Sequence, residues 1–558
     1  MTYDKDSFLA GVSVGRTLKG WAAAKGEGGS PYPDYPGGYG FDTSDPEQVY
    51  AHMRPNEWVT MPTPAENELW MLMFAPVDGA VHVQFALRTA YEVDADGKTY
   101  RPQYNVSTYK VVNGSRVVVS SEAVDSGATY KGLYHGAEYG NVFADPEGDA
   151  ETGSDKLSQI LVCISGAVFE TFNFVAKSNN ISGSTAVTNF NVYEVAANLP
   201  KIITLHNGVS GGGLVQRATK FFALYGENNI TSNAVTFNNV AQSLLCVRAL
   251  DCSKMTKAPS FASCVSLLAV PELNLTALSN SASGIFNGCS GLIVAPKVNI
   301  PIATSVASMF LNCSNMQVAR DIDAPKATSA ANIFAGCSML EKGPTINAPL
   351  VTNASKAFQD CAAMRSCADI NLPAATNISY IFDGCISLEE APAINAPLCT
   401  DASYMFTDCK NIRKAVNINI PKAGTTFGFS SCSNLRTVKM VCAGCGTSSR
   451  YTTFNADYNL VDVEIHFHGS GGYVGAFYRR MRRCILTSED GTAPKMWPAT
   501  MQFCDTSISR NEAVELFQKI PTPYSSSPYL NFVTTPAAAD LTDEDIAIAV
   551  AKGWGVLT

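Results

Sequence analysis

The chain has 558 residues, of which 46% are hydrophobic and 16% charged, and its 49 acidic and 40 basic residues give a formal net charge of -9. This length exceeds what one hydrophobic core supports, so several domains are expected, and the acidic balance excludes a protein whose main task is to neutralise nucleic-acid phosphates. The opening residues lack a basic start, an apolar run and a cleavage site, and no uncharged stretch is long enough to span a bilayer, so neither ordinary export nor membrane insertion is predicted.

Residues 1–49 are predicted to form a helix followed by an arm. The helix covers about residues 6–24, where Gly11 and Gly15 stand at the small-xxx-small spacing that lets helices approach closely. Two readings stay open: contact between identical chains, or packing of the helix on its own chain. The next stretch, GEGGSPYPDYPGGYGF, is rich in Gly, Pro and Tyr, which is typical of a linker or an extended arm.

Residues 50–200 change to short apolar runs, LWMLMF and VHVQFAL among them, and are predicted to form a β-sandwich. The stretch VSTYKVVNGSRVVVS predicts a hairpin, because Asn113-Gly114 supplies the positive φ angles of a tight primed turn. The loop at 145–155, DPEGDAETGSD, has acidic residues at nearly alternate positions. Such a loop can wrap calcium, although it lacks the spacing of a calcium-binding hand and an ordinary solvated loop is the alternative.

Residues 201–440 are predicted to form a solenoid, with clear repeats over 252–440. Eight cysteines are separated by 25, 24, 24, 24, 24, 24 and 23 residues, and a phenylalanine precedes each by three residues: Cys264, Cys289, Cys313, Cys337, Cys361, Cys385, Cys409 and Cys432. A single unit of this size cannot bury its own apolar face, so coils stack on one another. Within each coil, a stretch such as MQVARDI suits an inner strand and TSAANIFAGC suits a short helical turn.

The repeated cysteine is interpreted as a small core side chain whose weak S–H faces a backbone carbonyl, because parallel stacking does not oppose the Cβ vectors that a disulfide needs. A second column is predicted to be a buried amide ladder that bonds the backbone of the next coil: Asn299, Asp323, Asn347, Asn371, Asn395 and Asn419.

A third column carries charge. It follows the repeated Leu or Met and comprises Glu341, Arg365, Glu389, Arg413 and Arg436, so that the sign alternates along the first four coils. Two interpretations remain: an exposed ion-pair ladder worth at most about 1 kcal/mol per pair, or a strip of the inner sheet that meets a ligand.

Residues 441–558 are predicted to be an α/β cap with helices near 509–520 and 541–553. Cys442 and Cys445 lack the second pair that zinc needs. His466 and His468 would lie on one face of a strand, as half-exposed residues or, in a three-fold assembly, as six rings around one metal ion. A basic cluster, Arg479, Arg480, Arg482 and Arg483, suits phosphate, an acidic glycan or an acidic neighbouring subunit, with local carboxylates as the alternative for two of the four.

The F-x-x-C-x-x-L phrase on a 24-residue step resembles the leucine-rich repeat of the bacterial surface-protein type called BspA-like. The segment LTDEDIAIAVAKGW at 541–554 resembles the closing helix of phage tail-associated proteins, and DSFLAGVSVGRTLKGW does so more loosely. A symmetric His-x-His site resembles some trimeric phage fibre tips.

The resemblance implies a non-enzymatic structural protein of a bacteriophage tail or baseplate, as a fibre or receptor-binding protein. It would be assembled in the host cytoplasm, exposed on the virion, trimeric, and in contact with other tail proteins and a host surface glycan or protein. The alternatives are an exported bacterial adhesin of BspA-like type and, as a third choice, a glycan-acting enzyme. No nucleophile elbow, phosphate loop or metalloprotease pair is present, so no catalytic residue and no cofactor are predicted beyond the two metal sites above.

Overall fold

A computed structural model describes residues 39–77, 80–140, 142–144, 156–174, 192–205, 219–231, 235–237, 243–444, 459–468, 482–489, 500–503, 506–523 and 529–558. The chain divides into two compact units, residues 1–300 and 301–558. Both units are rich in β-structure and contain few helices, as the sequence predicts.

The first unit starts with helix α1 (Pro46–Met53), whose N-cap Asp45 accepts hydrogen bonds from the backbone N–H groups of Glu47 and Gln48. Its strands are β1 (Glu68–Pro76), β2 (Ala80–Thr89), β3 (Glu92–Val93), β4 (Thr99–Tyr100), β5 (Tyr104–Val112), β6 (Ser115–Val124), β7 (Thr129–His135), β8 (Val142–Ala144), β9 (Lys156–Ser165), β10 (Phe169–Phe174), β11 (Val192–Asn198), β12 (Thr204–Leu205), β13 (Phe221–Tyr225), β14 (Cys246–Leu250), β15 (Leu273–Asn274) and β16 (Val298–Asn299).

Two sheets organise this unit. The larger has the order β14-β13-β11-β1-β9-β5-β6, with β8 on β9, and the smaller has the order β12-β10-β2-β7. Their side chains meet, as where the rings of Tyr104 and Phe169 lie 5.8 Å apart. The run LWMLMF in β1 is buried throughout, because β1 lies inside the larger sheet and is covered on both faces. The predicted hairpin forms from β5 and β6, with φ of 49° at Asn113 and 76° at Gly114.

The larger sheet changes from antiparallel to parallel within the first unit. Strand β11 pairs antiparallel with β1 and parallel with β13, which pairs parallel with β14. A further parallel bridge joins Cys246 to Ala269, in the following coil. Coil stacking therefore begins at β11 and uses the antiparallel sheet as its starting edge.

The second unit carries short parallel strands, then longer ones, then a three-stranded sheet. The strands are β17 (Ile322–Asp323), β18 (Lys342–Gly343), β19 (Ile346–Asn347), β20 (Ser366–Cys367), β21 (Ile370–Asn371), β22 (Ile394–Asn395), β23 (Lys414–Gly424), β24 (Thr437–Gly444), β25 (Asp462–Phe467), β26 (Arg483–Ser488), β27 (Thr500–Gln502), β28 (Tyr529–Asn531) and β29 (Gly555–Leu557). The sheets that they form include the six-stranded β21-β22-β23-β24-β25-β26 and the three-stranded β27-β28-β29.

Successive coils of the second unit are joined at equivalent positions, which confirms a β-solenoid with 24-residue repeats. One ladder runs from Ser305 through Ser329, Asn353 and Asn377 to Asp401. The predicted helical turn does not form: alternate N–H groups bond the next coil instead, as from Phe310 to the carbonyl of Ile333 at 2.9 Å. Two left-handed residues per coil redirect these groups, for example Asn332 at φ 56° and Gly336 at φ 73°.

The solenoid core is a stack of identical side chains. In the second unit the phenylalanine rings of neighbouring coils lie 5.2–5.6 Å apart and within 10° of parallel: Phe310, Phe334, Phe358, Phe382, Phe406 and Phe429. All six are buried. Each coil covers the apolar face of the one before, as the repeat requires.

Three helices pack near the C-terminal end. Helix α2 (Arg510–Lys519) lies between β27 and β28 in the chain, while α3 (Pro536–Asp540) and α4 (Asp543–Ala551) lie between β28 and β29. The bounds of α2 and α4 agree with the two helices predicted from sequence. Among the described residues no helix is both long and apolar enough to cross a membrane.

Candidate binding surface

The repeated cysteines serve the core rather than chemistry. In seven described coils each Sγ donates to the carbonyl of the preceding coil's Phe at 3.0–3.3 Å: Cys264, Cys289, Cys337, Cys361, Cys385, Cys409 and Cys432. Burial raises the pKa of the Cys264 and Cys337 thiols to about 12. These groups stay protonated and enclosed, which confirms the predicted contact and makes them poor nucleophiles and metal ligands.

The asparagine column lies on the outside of the coils, so the prediction of a buried amide ladder was wrong. All six side chains are exposed, and amide bonds amide along the column, as from Asn395 Nδ2 to Asn371 Oδ1 at 2.9 Å. Asn347 likewise donates to the carboxylate of Asp323 at 2.7 Å. Because a side-chain amide has both a donor and an acceptor, it can bond its own copy in the next coil instead of the backbone, as in the runs Asp323–Asn347 and Asn371–Asn395–Asn419.

The charge column comprises Glu341, Arg365, Glu389, Arg413 and Arg436. All five side chains are exposed. From Arg365 onward, each backbone N–H bonds the carbonyl of the preceding member, at 2.8–3.2 Å. The backbone thus holds the five positions in register, one coil apart.

The charge column does not form the ion-pair ladder that its alternating signs allow. Within the described part of the chain no ion pair of 4.0 Å or less joins two of its members. Arg413 and Arg436 are consecutive cations, an arrangement that costs free energy when nothing neutralises it. Lys414, beside Arg413, is exposed as well. The geometry leaves these cations available to an external anionic group.

The predicted basic cluster separates into residues with different surroundings. Arg482 is exposed, and its N–H bonds the carbonyl of Val461. Arg483 instead contacts the carboxylates of Asp462 at 3.0 Å, Glu464 at 3.5 Å and Glu515 at 3.2 Å. Desolvation lowers the pKa of Arg483, but the hydrogen bonds and charges of Glu515 and Asp462 outweigh it, so that the pKa is raised. Arg483 therefore ties α2 to the sheet.

The two histidines of the predicted metal site lie near the end of β25. His466 Nδ1 is 2.8 Å from the Thr487 hydroxyl, and His468 Nδ1 is 3.1 Å from the Glu489 carboxylate. Among the residues that the structure describes, no three His, Cys, Asp or Glu side chains gather as a metal site. A site built from several copies of the chain stays a prediction.

Several predicted features lie outside the described residues. These are the helix with Gly11 and Gly15, the acidic loop from Asp145 to Asp155, Cys445, and two members of the basic cluster, Arg479 and Arg480. Their proposed contacts with partners, calcium or phosphate therefore stay predictions.

Sequence reasoning missed an aromatic column on another side of the coil. It comprises Tyr380, Tyr404 and Phe427, each partly exposed. The rings of Tyr380 and Tyr404 are 4.6 Å apart and 4° from parallel, and those of Tyr404 and Phe427 are 5.3 Å apart. The ammonium of Lys356 lies 5.4 Å from the centre of the Tyr380 ring. The signal in the sequence was the residue two places before the core phenylalanine, which is not aromatic in earlier coils: Pro259, Gly284, Ser308, Asn332 and Lys356.

Polar groups surround the aromatic column. Asp383, which is partly buried, accepts a hydrogen bond of 2.9 Å from the Gln359 amide. Desolvation and then the nearby Asp360 and Asp408 carboxylates raise the pKa of Asp383, against the lowering effect of the Gln359 hydrogen bond. Burial, Tyr404, Asp383 and Asp401 raise the pKa of the Tyr380 phenol. The charged groups that the structure describes near the column therefore include four carboxylates and the ammonium of Lys356.

Comparison with known proteins gives loose structural matches. No family model and no curated protein sequence matches the chain. A leucine-rich repeat protein from Bacteroides ovatus is similar at 14% identity and a TM-score of 0.34, over 65% of this chain and 89% of that one. The structure of a TLR13-ssRNA13 complex matches at 14% identity and a TM-score of 0.25, over 57% of this chain and 47% of that one. Matches this loose carry no functional argument, so the solenoid rests on the coil ladders described above.

Proposed function

We propose that this chain is a structural virion protein of a bacteriophage tail or baseplate and that its repeat solenoid binds the host surface. It acts without catalysis, as a fibre or receptor-binding protein that meets other tail proteins and a host glycan or protein. It is assembled in the host cytoplasm, is exposed on the particle, and is a trimer. The virion context is supported by the resemblance of the segment 541–554 to the closing helix of phage tail-associated proteins, while the repeat phrase resembles the BspA-like type, which occurs in phage tail proteins as well as in bacterial adhesins.

The observation that carries the binding role is the unpaired end of the charge column. Arg413, Lys414 and Arg436 are exposed cations on adjacent coils of an acidic protein, and no described carboxylate lies within 4.0 Å of them. A surface under selection for stability alone gains nothing from adjacent like charges. A surface that meets anionic groups gains both attraction and faster encounter.

Binding is tested with Arg413→Glu/Arg436→Glu against Lys326→Glu/Lys422→Glu. The control changes the net charge equally, at two exposed lysines that each follow the repeated proline: Lys422 lies in the coil that Arg413 begins, and Lys326 lies four coils earlier. We expect the arginine variant to bind host cells about tenfold more weakly or worse at low salt, and the lysine variant to bind almost as the native protein does. Each variant is labelled with a fluorophore, and its binding to host cells is measured by flow cytometry. Equal loss in both variants would indicate general charge attraction and contradict the assigned surface.

The virion assignment has its own test. Washed particles purified from an infected culture are analysed by mass spectrometry and by gold-labelled antibody under the electron microscope. Label at the tail or baseplate is the expected result. Particles that lack the polypeptide, with the protein found on uninfected cells instead, would overturn the assignment and leave a bacterial adhesin with the same binding surface.

A further inference from the structure

The aromatic column occupies positions where its residue types are unfavourable. Tyr380, Tyr404 and Phe427 have φ angles of 58°, 59° and 50°, in the left-handed region. Earlier coils place Ser308, Asn332 and Lys356 at this position, at 55°, 56° and 60°. Small or amide-bearing residues tolerate the left-handed region better than bulky ones. The change to aromatic residues in consecutive coils therefore needs a compensating role.

Stacking provides part of that compensation, but the coils already have another stack. The buried rings of Phe382, Phe406 and Phe429 repeat at 5.2 Å in the same coils. The side chains of the outer column are each partly exposed. Tyrosine offers a rigid apolar body with a hydroxyl that donates and accepts hydrogen bonds, which is why it is enriched at recognition surfaces.

The polar neighbours select the chemistry of a ligand. Asp383 and Gln359 provide acceptors and a donor beside the rings, and ionised carboxylates form strong hydrogen bonds to hydroxyl groups. Asp360, Asp401 and Asp408 add negative charge, which the ammonium of Lys356 offsets in part. This balance repels an acidic polymer and suits a ligand with many hydroxyl groups and no acid.

We propose that the aromatic column, with Gln359 and Asp383, is a binding site for a linear glycan that carries no acidic groups. The coil repeat places equivalent groups at ring separations of 4.6 and 5.3 Å, so successive sugar units meet successive coils. The site deepens the host-binding role proposed above and rests on it. This site lies at a different position of the coil from the charge column, so substitutions can test the two proposed binding surfaces separately.

The test replaces the two tyrosines by the residue that an earlier coil uses at this position. The variant Tyr380→Asn/Tyr404→Asn in the full chain is compared with the native protein and with Asn332→Ser, a change at the same coil position outside the column. The probes are cellohexaose, maltohexaose and N-acetylchitohexaose, with oligogalacturonate as the acidic probe. Binding is measured by isothermal titration calorimetry, and thermal unfolding is followed in parallel.

We expect the native protein to bind at least one neutral probe, and to bind it more tightly than oligogalacturonate. The affinity for that neutral probe is expected to be about tenfold lower in the tyrosine variant and unchanged in Asn332→Ser. The melting temperature of the tyrosine variant stays the same or rises, because asparagine relieves the left-handed strain. Absence of binding to every neutral probe, preference for the acidic probe, or a lower melting temperature with unchanged binding would overturn the proposal. Cell binding that still depends on Arg413 and Arg436 would then show that the proposed function survives without this site.

Discussion

A cysteine in this solenoid is a core residue with a satisfied S–H, and this has a measurable consequence. In the native protein, iodoacetamide at pH 8 is expected to leave the eight ladder cysteines unlabelled because they are buried, and burial raises the pKa of the Cys264 and Cys337 thiols to about 12. Burial raises the pKa of the Cys367 thiol to about 12 as well, but Cys367 is partly exposed, so it is the internal comparison and is expected to react before the ladder cysteines. Peptide mass spectrometry reads each site. Labelling of Cys361 as fast as of Cys367 would contradict the packing described here.

At the same scale, the sequence predicts the role of a repeated apolar residue better than that of a repeated polar one. The 24-residue spacing of Phe310 and Phe334 indicates stacked coils, because one coil cannot bury its own phenylalanine ring without a neighbouring coil. Asn371 gives no such constraint, since an amide can bond backbone inside the coil or its own copy outside it. The aromatic column was missed for a related reason: left-handed backbone at Tyr380 and Tyr404 is invisible in a pattern that records only residue type.

At the scale of elements, α2 and α4 are joined by a charged contact that depends on pH. Arg510 Nε lies 2.6 Å from Asp545 Oδ2, and the same carboxylate accepts from the backbone N–H of Thr542 at 2.9 Å. The Arg510 hydrogen bond is the main cause that lowers the pKa of Asp545 from 3.8 to about 2. The unfolded chain therefore binds the proton first as pH falls.

The free energy of unfolding is expected to contain a contribution from Asp545 that is complete above about pH 5 and is lost as pH falls through 4 toward 2. Asp545→Asn removes this dependence and lowers stability at neutral pH. Asp543→Asn, an exposed acid of the same first turn, serves as the control. Urea unfolding followed by circular dichroism between pH 2 and 7 gives the comparison. If the free energy of unfolding of the native protein and of the Asp545 variant changed with pH in the same way, the contact would be ruled out.

The elements that the sequence predicted are those whose signal is local. The helix near 541–553 follows from a threonine cap and acidic first turn, and the repeated coils follow from one phrase that recurs every 24 residues. Beyond Cys432 that phrase stops, although the parallel ladder continues: Thr437 pairs with Asp462, and Asp462 with Arg483, at steps of 25 and 21 residues. A ladder whose step varies leaves no fixed period to find.

At the scale of the whole molecule, the predicted boundary at residue 200 cuts through hydrogen-bonded sheet. Ala196 in β11 pairs with Trp70 on one side and with Ala223 on the other, so one strand belongs both to the antiparallel region and to the first coils. The aromatic ring of Phe221 also packs on Tyr50 from α1, at 5.2 Å. Pairings between residues this far apart in the chain have no local signature, which is why the sequence placed a domain boundary there.

A fragment of residues 201–440 is therefore expected to fail as an independent folding unit. It removes β11 from beside β13 at its start, and at its end it truncates β24 and removes β25, so both terminal coils expose backbone and apolar surface. We expect aggregation, or a monomer without a cooperative thermal transition, while the full chain unfolds cooperatively. Light scattering coupled to size-exclusion chromatography and near-ultraviolet circular dichroism separate these outcomes. A monomeric fragment with a native-like near-ultraviolet spectrum would show that the coils close their own ends and that the sheet continuity at β11 is dispensable.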